Sequence, residues 1–292
     1  MSYAAAEIAS QPGCWRRALD LLATEPAGLP AAGERVAAIG CGTSLFMAQC
    51  YAALREAAGH GETDAWPASE FHGRRDYDRV VALSRSGTTT EVLAALGRVR
   101  PGVPTTAIVA DPDTPLAREA KHVVLLDFAD ERSVVQTRFP TALLVLLRAH
   151  LGEDVAGLPA LAEDALTAAL PPAALAARQI TFLGTGWTVG LASEAALKAR
   201  EAAQVWVEAY PAMEYRHGPI SVADSRTLVW LFGTPPQGLV DDVRRTGATV
   251  EVSTVDPLVD LVRAQRLAVR LAEARGLDPD RPRGLARSII LP

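Results

Sequence analysis

Short unbroken apolar runs recur along this chain, and two of them lead through a G-x-G turn into an Ala/Leu-rich amphipathic stretch. Arg35-Val-Ala-Ala-Ile39 leads into Gly40-Cys-Gly42, and Gln179-Ile-Thr-Phe-Leu183 leads into Gly184-Thr-Gly186. Each reads as strand, turn and helix, the same unit twice, about one domain length apart. Further apolar runs lie at Arg79 to Leu83, Thr105 to Ala110 and His122 to Asp127, then at Thr227 to Phe232 and Thr249 to Ser253. Runs without polar alternation suit parallel strands covered on both faces. Gly152 to Pro172 mixes Gly, Pro and acidic residues and reads as a connection with some helix of its own. The pattern predicts an α/β chain of two doubly wound, flavodoxin-like domains, 1–155 and 156–292, with parallel sheets flanked by helices. The boundary is expected between Leu151 and Ala177.

At 292 residues and 49% hydrophobic content, the chain can bury a large core. Its net charge of −5, with no basic run, argues against a nucleic-acid partner. The first 29 residues carry Glu7, Arg16, Arg17, Asp20 and Glu25, so they lack the apolar core of a signal peptide. The best apolar run, Ala142 to Leu147, is too short to span a bilayer. Cys14, Cys41 and Cys50 are odd in number and lack CxxC spacing, which fits reduced thiols in a cytoplasm and no metal or cofactor. Cys41 reads as a small buried group beneath its glycine loop rather than as a nucleophile. The two G-x-G turns lack a third glycine at dinucleotide spacing, which argues against NAD.

Two stretches carry candidate chemistry. Ser84-Arg-Ser-Gly-Thr-Thr-Thr90 follows a predicted strand and opens a helical pattern near Glu91. Its hydroxyls, flexible Gly87 and fresh backbone N–H groups suit a phosphate cradle, with Thr43 and Ser44 converging from the neighbouring loop and Arg85 as a possible added cation. A single N-cap needs one hydroxyl, whereas this loop offers a cluster. The second stretch is Ser193-Glu-Ala-Ala-Leu-Lys-Ala-Arg-Glu201, where Glu194, Lys198 and Glu201 at i, i+4, i+7 share one helical stripe. His217 follows on a Gly-Pro turn. A carboxylate, an ammonium and an imidazole in one pocket can move protons on a sugar; a solvated i,i+4 pair and a structural loop histidine are the plainer reading. Of 29 basic residues, only Lys121 and Lys198 are lysines.

Gly40-Cys-Gly-Thr-Ser44, Ser84-Arg-Ser-Gly-Thr-Thr89, Glu194-x-x-x-Lys198-x-x-Glu201, Glu208-Ala-Tyr-Pro and His217-Gly-Pro219 together resemble the tandem sugar isomerase (SIS) domains. That family includes the isomerase half of glucosamine-6-phosphate synthase and the amino-sugar-phosphate deaminases and isomerases. The resemblance implies that Thr43, Ser44, Ser84, Ser86 and Thr89 bind a sugar phosphate and that Glu201 moves a proton between C1 and C2. It further implies that Lys198 lies beside the substrate hydroxyls, that Glu194 supports it, and that His217 opens the ring from the adjacent subunit of a homodimer. Two departures stand out. Ser2 rather than Cys follows Met1 and no glutaminase segment is present, so glutamine-dependent synthesis is not expected. Where the family carries a tail lysine able to form a Schiff base, this chain has Arg287, whose guanidinium stays protonated.

The expected function is therefore processing of a hexosamine 6-phosphate through Glu201, with isomerisation and deamination of a glucosamine 6-phosphate type ahead of dehydration of an N-acetylated sugar. A sugar-phosphate sensor is the remaining class, but a sensor has no need of the Glu201/His217 pair.

Overall fold

The computed structural model describes residues 2–291. The chain divides into two compact units. One holds Ser10–Arg132, Gln136–Pro159 and the tail from Ala286; the other holds the residues up to Ala9, Ser133–Val135 and Ala160–Leu285.

The first unit is built on strands β1 (Val36–Gly40), β2 (Thr63–Pro67), β3 (Arg79–Leu83), β4 (Thr105–Val109) and β5 (His122–Leu125). They form one sheet in the order β2-β1-β3-β4-β5, and every pairing is parallel. In such an order the connections reverse direction between β1 and β3, and ligands of open α/β sheets bind outside the carboxyl ends of the strands at that point. β1 is buried along its whole length, which explains its small apolar sequence Val-Ala-Ala-Ile-Gly. Helix Thr43–Ala57 packs on β1 and β2, and helix Arg138–His150 packs on it and on helix Gln11–Leu22. From Phe139 to Arg148 every residue of the helix Arg138–His150 is buried. The Ala142 to Leu147 run is therefore core, and Trp15 Nε1 donates to Thr141 Oγ1 there at 2.9 Å.

The second unit carries β6 (Gln179–Gly184), β7 (Val207–Pro211), β8 (Thr227–Phe232) and β9 (Thr249–Val252), parallel throughout and ordered β7-β6-β8-β9. Helix Thr188–Ala203 lies on β6 and β7 and packs against helix Pro257–Ala274. Phe182, Trp230 and Phe232 stack in its core, with Trp230 Nε1 donating to the buried Asp260 at 2.7 Å.

The two sheets repeat each other in detail. Gly40 pairs with Pro67 and Gly184 with Pro211, in each case at the end of a central strand beside an edge strand. Proline is tolerated on an edge because its missing N–H breaks no ladder bond. A Cβ on Gly40 would lie 2.6 Å from the Ser44 carbonyl carbon, and one on Gly184 would lie 2.2 Å from the Thr188 oxygen. Only a glycine lets the following helix start that close to the strand. The next glycine in each turn, Gly42 or Gly186, sits at φ 54° or 57°. No helix among the described residues is long and apolar enough to cross a membrane.

Candidate active site

In the first unit, Thr43 and Ser44 open the helix after β1, and Ser84 to Thr89 form the loop after β3. Because β1 and β3 are neighbours in register, both loops leave the same carboxyl edge of the sheet at the switch point. The β3 loop is tightly shaped. Gly87 adopts φ +61°, and a Cβ there would meet Thr114 Oγ1 at 2.2 Å, so the turn presses its backbone against the β4 loop. Gly87 N–H donates to Ser84 Oγ at 3.2 Å, and Leu116 N–H donates to the Gly87 carbonyl. Ser86, Thr88 and Thr89 then turn their hydroxyls to one point, the Oγ of Ser288 in the C-terminal tail, at 3.1, 3.0 and 3.3 Å.

Arg85 points elsewhere. Its side chain is 1% exposed, lies 3.5 Å from the fully buried Glu131 carboxylate, and donates to the Arg287 carbonyl at 3.0 Å. Glu131 also accepts from Thr137 N–H, from Thr137 Oγ1 and from Arg138 N–H, and so caps helix Arg138–His150. Arg287 turns back on the same segment: it is paired with the Asp130 carboxylate at 2.5 Å and donates to the Glu131 backbone carbonyl. These two arginines anchor the tail.

In the second unit, Glu194, Lys198 and Glu201 lie on one stripe of helix Thr188–Ala203. Thr188 fixes the start of this helix: its hydroxyl accepts from Thr185 N–H at 2.8 Å and donates to the Phe232 carbonyl at 3.0 Å. At the far end Gln204 takes the left-handed conformation, and Arg200 donates twice to the Val207 carbonyl, tying the helix end to β7. Lys198 Nζ is 2.6 Å from Glu201 and 3.4 Å from Glu194. Glu194 is 0% exposed and Lys198 1%, whereas the Glu201 side chain retains 16%. Both carboxylates lie against one buried ammonium, and of the three side chains only that of Glu201 reaches solvent. His217 is exposed on the turn after the short 3-10 helix Glu214–Arg216, and among the described residues its ring makes no hydrogen bond to these three.

Burial raises the Cys41 thiol above its ordinary value, which disfavours the nucleophilic thiolate. Among the described residues no cluster of three or more His, Cys, Asp or Glu could hold a metal ion. Sequence reasoning missed Ser288, Thr88 and Glu131. Thr88 sits inside the hydroxyl loop itself, and Ser288 directly follows Arg287, so adjacency was the available signal; nothing local marks Glu131.

Residues 31–149 match the SIS domain family. The isomerizing glutamine–fructose-6-phosphate aminotransferase of Bradyrhizobium diazoefficiens is 29% identical over 88% of this chain and 52% of its own length. The chain thus spans about half the length of the curated relatives it matches. Among solved structures, glucosamine-6-phosphate deaminase of Thermotoga maritima is 26% identical, with a TM-score of 0.83 over 99% of this chain and 100% of that one. The C-terminal domain of glucosamine-fructose-6-phosphate aminotransferase from Francisella tularensis shares the fold at a TM-score of 0.82, with 22% identity over 97% and 98% of the two chains.

Proposed function

We propose that this chain is an enzyme that isomerises and deaminates an amino-sugar 6-phosphate of the glucosamine type. The observation that carries the reading is the Lys198–Glu201 pair, in which a carboxylate is held 2.6 Å from a buried ammonium while its side chain remains partly open to solvent. In this reading Ser84, Ser86, Thr89, Thr43 and Ser44 hold the phosphate. Glu201 takes the C2 proton of the ring-opened aldose, leaving an enolamine. Return of the proton to C1 gives an imine at C2, and water then releases ammonia and leaves the ketose. Lys198 positions Glu201 and faces the sugar hydroxyls, Glu194 holds Lys198, and His217 serves the ring-opening proton transfer from the partner subunit of a cytoplasmic homodimer. Likeness to the Thermotoga deaminase along both chains supports the deaminating outcome.

The four-stranded unit fits a second, diverged SIS domain. Its strand order, its Gly184–Pro211 pairing and its left-handed Gly186 echo the first unit position by position. Arg287, already spent on Asp130 and lacking an amine, favours a path with no covalent ketose intermediate.

The test is to incubate the purified chain with glucosamine 6-phosphate and, separately, with N-acetylglucosamine 6-phosphate and follow both by mass spectrometry. Ammonia and a hexulose 6-phosphate from the first sugar are expected. Loss of one water from the second, with nitrogen retained, replaces the deaminase by a dehydratase. Binding of either sugar without turnover or C2 deuterium exchange leaves a sensor.

A further inference from the structure

Ser288 is the focus of the hydroxyl loop rather than a bystander. Ser86 Oγ and Thr88 Oγ1 donate to its oxygen at 3.1 and 3.0 Å, and Thr89 Oγ1 lies 3.3 Å away. The tail on either side is held as firmly. Arg85 donates to the Arg287 carbonyl, Thr90 N–H donates to the Ile289 carbonyl at 3.2 Å, and Leu291 N–H donates to Thr90 Oγ1 at 2.9 Å. A serine hydroxyl has one proton to give. Protons that Ser86 and Thr88 direct at Ser288 are not available to an anion, and the oxygen that receives them stands where a phosphate oxygen would accept from the same loop.

We infer that Ser288 is an internal competitor for the anion position and so sets the affinity of this loop for phosphorylated ligands. A phosphate binds by displacing the Ser288 hydroxyl, and the tail from Arg287 to Leu291 loosens as it does. The inference rests on the phosphate reading of the loop proposed above. Apparent affinity falls by the fraction of molecules whose loop is open, so weakening the tail contact raises it.

Inorganic phosphate is the probe, titrated calorimetrically into the full-length wild type, Ser288→Ala and Ser44→Ala. Ser44 belongs to the proposed phosphate site and to none of the tail contacts described here. Ser288→Ala is expected to bind about five- to tenfold more tightly, the worth of roughly one net hydrogen bond. Ser44→Ala is expected to bind more weakly. In the wild type, hydrogen exchange at the Thr90 and Leu291 amides should quicken on saturation with phosphate. Equal or weaker binding by Ser288→Ala, with Ser44→Ala impaired, overturns the competition and leaves the phosphate site standing. No phosphate binding, or binding that neither substitution alters, overturns both.

Discussion

The Lys198 ammonium lies 2.6 Å from the Glu201 carboxylate one helical turn on, and it is Glu201 rather than Lys198 that solvent reaches. A carboxylate arranged this way is held by its cation on one side while its side chain still reaches solvent. Removing a positioned general base costs about 10²–10⁴-fold in rate. Glu201→Gln is therefore expected to lose turnover of glucosamine 6-phosphate on that scale while keeping the wild-type circular dichroism and melting temperature. Activity within a few-fold of wild type would move the base to Glu194 or Glu214.

The same cluster carries a stability consequence. Lys198 neutralises Glu194 in a fully buried setting, and removing one partner of a buried pair strands the other, at about 3–5 kcal/mol. Lys198→Met should lower the urea unfolding free energy by that amount. Lys198→Met with Glu194→Gln should regain a substantial part of it. If the single and double variants unfold together, the pair is not coupled.

Assembly can be read through complementation. His217 is exposed and makes no hydrogen bond to Glu201, which suits a residue that serves a neighbouring subunit. Mixing inactive Glu201→Gln with inactive His217→Ala should restore part of the activity through hybrid dimers that hold one intact site. A fully active monomer by light scattering would remove the shared-site reading.

Glu34 links stability to pH. Its carboxyl is held below the ordinary glutamate value, chiefly by the two-pronged hydrogen bonds from Arg79 at 2.8 and 2.9 Å. A depressed acid binds fewer protons folded than unfolded, so its contribution is complete above the unfolded value of ~4.3 and is lost as pH falls through the lower folded one. Wild type should exceed Glu34→Gln in urea midpoint at neutral pH. The gap should narrow steadily below pH ~4, and a gap independent of pH would deny the linkage.

The interior strands were legible because burial on both faces leaves an unbroken apolar record. Arg79 to Leu83 and Thr227 to Phe232 coincide with β3 and β8. Edge strands β2 and β7 left no such record. Thr63–Pro67 and Val207–Pro211 are largely half-exposed and carry Asp64 and Glu208, so their periodicity is broken. At the candidate site, the Glu194–Lys198–Glu201 stripe followed from helical spacing alone. The partners of Arg85 did not, because a buried guanidinium seeking Glu131, 46 positions away in sequence, obeys tertiary packing that local pattern does not encode. The tail contacts were hidden for the same reason, since Ser86 and Ser288 meet across 202 positions.

The scarcity of lysine has a practical consequence for handling this protein. Lys198 is sealed inside its helix stripe, and Lys121 stands exposed at the start of β5. Apart from the N-terminal amine, acylating dyes and surface-coupling esters therefore meet a single reactive side-chain amine, far in sequence from every residue assigned a chemical role. Molecules tethered through Lys121 would share one orientation on a sensor chip.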